Sequence, residues 1–325
     1  MVHFSRKAKH FITVTIKIMI VVVAFLFVWE RLQKDWESFE DIFQNQIDPS
    51  SLYLNIAILL ILTALNWSLD AYRWKVLVGS IHKIHMGEAF RQTLVAHVTA
   101  FVTPAKTGEY GTKALYFPKK YRKKIVVLNF LGNMYQMLAT LFFGAIGLGV
   151  VCFIFKPLSF VWYILFVLAV IGVSFLVPRN LNRLRWSIKG YSWQRVQEYV
   201  LRISKSIRDK AKVLSVIKYL VFSHQFYFIL IMLDIEITYI PALSLIASMY
   251  LLSSLVPVMQ FFDVVVRGGT AVLLFGLAQI PASVILIITT TMWLLNIVLP
   301  LLPGSYLLLK SKSLLTSHNL TDTTL

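Results

Sequence analysis

Apolar runs of near-membrane length alternate along this chain with short segments rich in Lys and Arg. Residues 11–29, 52–69, 125–155, 158–177, 213–233 and 283–309 each hold enough consecutive apolar positions to cross a hydrocarbon layer of about 30 Å as a helix. About six full spans follow from that pattern. Two further apolar stretches, 88–117 and 242–277, are interrupted by Pro, Gly and charged residues. They read as re-entrant helical hairpins, because non-helical backbone at membrane depth persists only where protein or water satisfies its freed polar groups.

The positions of Lys and Arg orient these elements. Arg6, Lys7 and Lys9 precede the first span and put the N-terminus in the cytoplasm. That span is long and has no small-residue cleavage site after it, so it reads as uncleaved rather than as a signal peptide. Acids then dominate residues 30–48, as in an external loop. Arg73, Lys75 and Lys83 follow the second span, and a basic run at 119–124 follows the first hairpin, which therefore enters from the cytoplasm. Beyond the fourth span, 179–212 sets ten Lys and Arg against Glu198 and Asp209, with Trp186, Tyr191, Trp193 and Tyr199 interleaved. This is the composition of a cytoplasmic amphipathic segment lying on an anionic leaflet. The fifth span leads to Asp234 and Glu236 outside, so the second hairpin enters from outside. The last span returns to Lys310 and Lys312 and a cytoplasmic C-terminus. Residues 1–156 and 157–325 thus hold the same four elements in opposite orientation. The expectation is an all-α polytopic membrane protein built as an inverted-topology repeat within a single membrane domain.

Composition agrees with this class. Of 325 residues 58% are hydrophobic and 14% charged, and the mean hydropathy is +0.71. The net charge of +17 sits in short segments between spans, where lipid headgroups explain it better than nucleic acid does. Cys152, the single cysteine, lies in an apolar span and is expected to pack.

The candidate chemistry lies in the hairpins. The first carries Pro104, Lys106, Gly108, Glu109, Gly111 and Lys113, where Pro removes a donor and Gly permits turning or close packing. Glu109 and Lys113 are four apart and share a helical face. The second repeats the theme with Pro257, Asp263, Arg267, Gly268 and Gly269. Broken hydrophobic segments at corresponding places in two halves point to a transport site. Lys106, Glu109, Lys113, Asp263 and Arg267 are the candidate substrate-binding residues, though structural pairing of these charges is the competing explanation. On the third span Asn129, Asn133, Gln136 and Thr140 form one polar stripe, which either joins helices or lines a cavity. Asp70 and Arg73 read as an interfacial ion pair. His82 and His85 lack a third ligand nearby, so no metal is expected. No nucleotide loop, Ser/His/Asp set or cofactor motif occurs in the sequence, and no cofactor is expected.

With Pro104, Lys106, Gly108, Glu109 and Lys113 in place, the chain resembles the transmembrane region of the lysylphosphatidylglycerol synthase and flippase family, the membrane half of bacterial multiple peptide resistance factors. Pro257 and Arg267 match part of the family's second pattern, with Gly268 where a Glu would stand and Asp263 as the nearest acid. The resemblance implies a lipid translocase fold with two re-entrant hairpins, without the soluble aminoacyl-transferase domain of the fused members. The function expected is flipping of a lipid or lipid-linked headgroup across the cytoplasmic (inner) membrane. Three bases against two acids at the candidate site favour an anionic headgroup. The alternatives are an integral membrane transferase acting on a lipid, which would be an enzyme where a flippase is not, and a non-transporting helper subunit. Membrane lipids are the expected partners. A homo-oligomer is left open.

Overall fold

A computed structural model describes residues 49–101, 103, 106–156, 187–188, 191–256 and 258–310. The predicted first and fourth spans, Pro104 and Pro257 lie outside the described residues.

The described chain is helical apart from a two-residue antiparallel pairing of Ser187–Ile188 with Tyr191–Ser192. Its helices are α1 (Pro49–Val78), α2 (Met86–Phe101), α3 (Thr107–Leu115), α4 (Lys119–Phe155), α5 (Trp193–Arg202), α6 (Lys205–Met232), α7 (Tyr239–Ser254), α8 (Asp263–Phe275), α9 (Ala282–Trp293) and α10 (Leu299–Lys310). A π-helical turn, Leu294–Val298, joins α9 to α10. Among the described residues four rods are long and apolar enough to cross a membrane: Ser51–Val78, Lys119–Phe155, Lys205–Met232 and Ala282–Lys310.

Three of these rods run well past their predicted ends, and in all three the extension is charged. α1 continues nine residues beyond position 69 and so carries Asp70, Arg73 and Lys75 within the helix. It can do so because Arg73 is satisfied by Asp70 on its own helix, by Gln136 on α4 (3.1 Å) and by Ser215 on α6 (3.0 Å). α4 starts at Lys119, directly after Pro118, and α6 starts at Lys205, capped by the Ser204 hydroxyl accepting from the Ile207 N–H. The basic stretch expected over 179–212 is therefore not one element. Its described part comprises the pairing of Ser187–Ile188 with Tyr191–Ser192, the short helix α5 and the first turns of α6, which hold Lys205, Arg208, Lys210 and Lys212.

Two apolar clusters hold the rods together. The larger centres on α6, α7, α8 and α9, with Phe226, Leu245, Ile246, Met249, Phe275, Ile285 and Ile288 at most 1% exposed. The smaller joins α1 to α4 through Trp74, Leu77, Val78, Ile125, Leu128 and Leu131. Small residues set the tightest helix contacts. A Cβ on Gly144 would lie 2.4 Å from Leu251 Cβ, and one on Gly147 would lie 2.8 Å from the Ser244 carbonyl, so α4 and α7 touch backbone to backbone. At Gly304 it would fall 2.7 Å from the Leu94 carbonyl, where α10 meets α2. Each broken segment thus lays its first arm on the last long rod of the other half: α2 on α10, α7 on α4.

Candidate functional site

Residues 86–115 form a helical pair, α2 and α3, interrupted between Phe101 and Thr107. The interruption is closed by Thr103. Its hydroxyl donates to the Thr99 carbonyl (2.8 Å) and accepts from the Gly108 N–H (2.8 Å), which satisfies one of the free donors at the start of α3. Lys106, at the N-cap, adopts the left-handed conformation with φ 56°. Gly108 is required by the approach of the two arms, since a Cβ there would sit 2.4 Å from the Thr99 carbonyl oxygen. The second pair, α7 and α8, is interrupted by a 3-10 turn, Gln260–Phe262. Both second arms carry an acid in their first turn, Glu109 and Asp263, where the helix dipole favours negative charge.

Between the two interruptions lies a cavity of about 270 Å³. Asn66 of α1, Gln136 of α4, Lys218 of α6 and Asn296 of the π turn line it, each near the middle of its rod. Seven charged side chains reach its wall: Asp70, Arg73, Lys106, Glu109, Lys218, Asp263 and Arg267. Every one of these acids is engaged. Asp70 holds Arg73 and also Lys218 (2.8 Å), Glu109 holds Lys113 (2.9 Å), and Asp263 lies 2.8 Å from Arg267. Arg267 is also held between two rings, with its guanidinium carbon 5.5 Å from the Phe222 centroid and 5.4 Å from that of Tyr250. Lys106 is exposed and has no acid or hydrogen-bond partner among the described residues. Four bases and three acids on the wall leave it net positive.

A buried amide chain forms the wall between α1, α6 and the π turn, and backbone carbonyls fix its direction. The Leu59 carbonyl can only accept, so the Gln225 group facing it at 3.1 Å is the NH2. Gln225 Oε1 then accepts from Asn296 Nδ2 (2.9 Å), which also donates to the Met292 carbonyl (3.2 Å). Asn296 Oδ1 accepts from Asn66 Nδ2 (2.9 Å), and Asn66 Oδ1 has no partner among the described residues. Next to this chain, the His97 Nε2 meets the Ile297 carbonyl of the π turn at 2.9 Å, tying α2 to the last rod.

Of the five candidate binding residues, Lys106, Glu109, Asp263 and Arg267 line the cavity. Lys113 does not. It is buried behind Glu109, donates to Asn129 Oδ1 (2.9 Å) and lies 4.7 Å from the Trp74 ring centroid. Asn133 and Gln136 reach the wall, whereas Asn129 serves Lys113 from the interior. The glycines divide similarly. Gly111 lies inside α3, and a Cβ there would meet nothing within 4 Å, so neither turning nor close packing explains it. Gly268 and Gly269 also lie within a helix rather than at a turn, and at Gly268 a Cβ would approach Leu286 Cδ2 of α9 to 3.1 Å. Sequence reasoning passed over Lys218, Asn66, Asn296, Gln260 and Tyr250, and it read Asp70 with Arg73 as interfacial. A lone Lys inside the apolar run 213–233 was the available signal, since such a charge marks a functional site by default.

Rods of membrane length around a charged cavity, with two interrupted helices meeting at its wall, define an all-helical membrane protein with a polar site between its helices. The chain belongs to the family described as the lysylphosphatidylglycerol synthase TM region, whose model matches residues 14–304. No curated protein matches it.

Proposed function

We propose that this protein translocates a lipid with an anionic headgroup across the cytoplasmic membrane. In this reading the two interrupted helical pairs are re-entrant hairpins, residues 1–156 and 157–325 are inverted repeats, and both termini face the cytoplasm. The observation that carries it is the net positive cavity at mid-rod depth, where Lys106 has no ion-pair partner among the described residues. A headgroup crossing hydrocarbon loses its hydration, and a preorganised set of charged donors replaces it. The acids on the wall hold Arg73, Lys218 and Arg267 in place while Lys106 and the edge of Arg267 receive the phosphate. The cavity is small for a binding pocket, in keeping with one headgroup whose acyl chains stay among the rods.

The reading is tested in proteoliposomes with fluorescently labelled phosphatidylglycerol, following the fraction that becomes accessible to a membrane-impermeant quencher. Wild-type protein is expected to equilibrate the label between leaflets, and Glu109→Gln protein, inserted at the same level, to leave it where it started. An unchanged rate in the variant would remove Glu109 from the mechanism. A lipid that changed mass rather than sidedness would indicate a transferase.

A further inference from the structure

α1 and α6 run antiparallel and meet along a polar seam. Leu59, Thr63, Asn66, Asp70 and Arg73 follow one another at alternating steps of four and three on α1, and Ser215, Lys218, Phe222 and Gln225 do so on α6, so each set keeps to one face of its helix. The ties across the seam are of two kinds. At one level Gln225 Nε2 donates to the Leu59 carbonyl (3.1 Å) and to Thr63 Oγ1 (2.8 Å), while Gln225 Oε1 accepts from Asn296. At the other, Lys218 Nζ lies 2.8 Å from Asp70 Oδ1, and Arg73 donates to Ser215 Oγ (3.0 Å). The two levels differ in what parting leaves behind. Thr63 and Gln225 are at most 5% exposed and do not line the cavity, so pulling them apart strands polar atoms where no solvent reaches, which is costly. The side chains of Asp70 and Lys218 are 15% and 22% exposed, on the cavity wall. When they part, Asp70 retains Arg73 on its own helix, Arg73 retains Gln136 of α4, and Ser215 retains the Ala211 carbonyl (2.9 Å). Lys218 alone of these groups loses its acid, and it does so facing the cavity. Apolar packing is divided in the same way, since α6 buries Tyr219, Phe226, Ile229 and Leu230 in the larger cluster and Ala211 in the smaller one.

We propose that Asp70 and Lys218 form a lock between these two rods. When the pair parts, α1 and α6 pivot about the amide level at Gln225 and the cavity opens at the end where the charged residues lie. The hairpin pairs Glu109–Lys113 and Asp263–Arg267 cannot serve this purpose, because the members of each sit four apart on one helix and join nothing that separates. In the orientation of the translocase reading the opening faces the cytoplasm, and only that assignment of side rests on the reading.

The test measures two distances by double electron–electron resonance on the purified full chain in nanodiscs, with Cys152→Ala as the background. One pair of nitroxide labels replaces Tyr72 and Val213 at the charged end, and the other replaces Leu54 and Ile231 at the amide end, all four positions being at least 43% exposed. From Thr63 to Tyr72 the helix extends about 13 Å, so a tilt of about 20° about the amide level moves the label by about 5 Å. The Cys152→Ala background is expected to give one dominant distance at each end. Lys218→Met, which leaves Asp70 paired with Arg73 and strands no charge, is expected to add a population about 5 Å longer at the charged end and none at the amide end. Asp70→Asn is expected to do the same, and Lys218→Met decides the matter should that variant fail to fold. An unchanged charged-end distance in Lys218→Met protein that elutes as wild type on size exclusion would overturn the lock. Equal lengthening at both ends would overturn the pivot. Opening at the charged end in a protein that moves no lipid in proteoliposomes would remove the translocase and leave the lock standing.

Discussion

Glu109→Gln tests whether the first hairpin is held by a buried charge pair or by shape alone. Both partners are shielded, with the Lys113 side chain 4% exposed and that of Glu109 14%. Removing one member of a buried pair costs about 3–5 kcal/mol, because the survivor is left charged and desolvated. Here the cost is expected to fall lower, at about 2–3 kcal/mol. The substituted amide can still accept from Lys113, which also keeps its bond to Asn129 and its place over the Trp74 ring. If the penalty arises from the stranded cation, Lys113→Met in the Glu109→Gln background returns part of it. That gain is limited by the Asn129 amide oxygen, which loses its donor at a cost of about 1–3 kcal/mol. The double variant is therefore expected to be more stable than Glu109→Gln alone by about 1 kcal/mol and less stable than wild type. Thermal or denaturant unfolding of the four proteins in one detergent closes the cycle. A double variant less stable than Glu109→Gln would show that Lys113 is not a stranded charge, and the account of the hairpin as an ion-paired unit would fail.

Two further outcomes follow from the same geometry. Gly108→Ala should destabilise by about 1–3 kcal/mol, because its Cβ meets the rigid Thr99 carbonyl, while Gly111→Ala in exposed helix should be neutral or stabilising by up to about 1 kcal/mol; similar melting temperatures for the two would refute the close-approach argument. Asn296→Leu should cost about 2–5 kcal/mol, since it leaves Gln225 Oε1 and Asn66 Nδ2 buried and unpaired, and a melting temperature equal to wild type would show that the amide chain does not bear on stability.

The long rods and the two interruptions were legible because hydropathy and Pro/Gly punctuation are local signals. The apolar runs at 125–155, 213–233 and 283–309 each fall inside an observed rod, and both stretches flagged as interrupted are broken pairs of helices. The family reading drawn from residues 104–113 agrees with the matched model. What stayed hidden depends on contacts distant in sequence. Asp70 looked interfacial because hydropathy ended α1 at 69, whereas Lys218, 148 residues away in the chain, pairs with it at the cavity wall. Asn66, Asn296 and Gln225 were unremarkable singly and gain meaning only as a chain joined across 71 and 230 positions. In the opposite direction, Lys113 and Gly111 looked equivalent to Lys106 and Gly108 by spacing. Helix geometry points Lys113 toward α4 and leaves the space beside Gly111 open.

The exchange of arms between halves gives the proposed translocation a physical route. α2 is joined to the last rod at Gly304 and through His97 to the π turn, and α7 is joined to α4 at Gly144 and Gly147. Contacts this close tolerate little sliding, because a shift drives backbone into backbone. In this reading each first arm moves with the opposite half, while its second arm carries part of the charge on the cavity wall, Glu109 on α3 or Asp263 and Arg267 on α8. Rocking one half against the other would strain the breaks between α2 and α3 and between α7 and α8 before the rods. Lys106, Glu109, Gln260 and Asp263, at or next to those breaks, are among the residues that line the cavity. In this reading, the place where the backbone yields and the place where the headgroup sits coincide, so occupancy of the site by phosphate and the geometry of the interruptions bias one another.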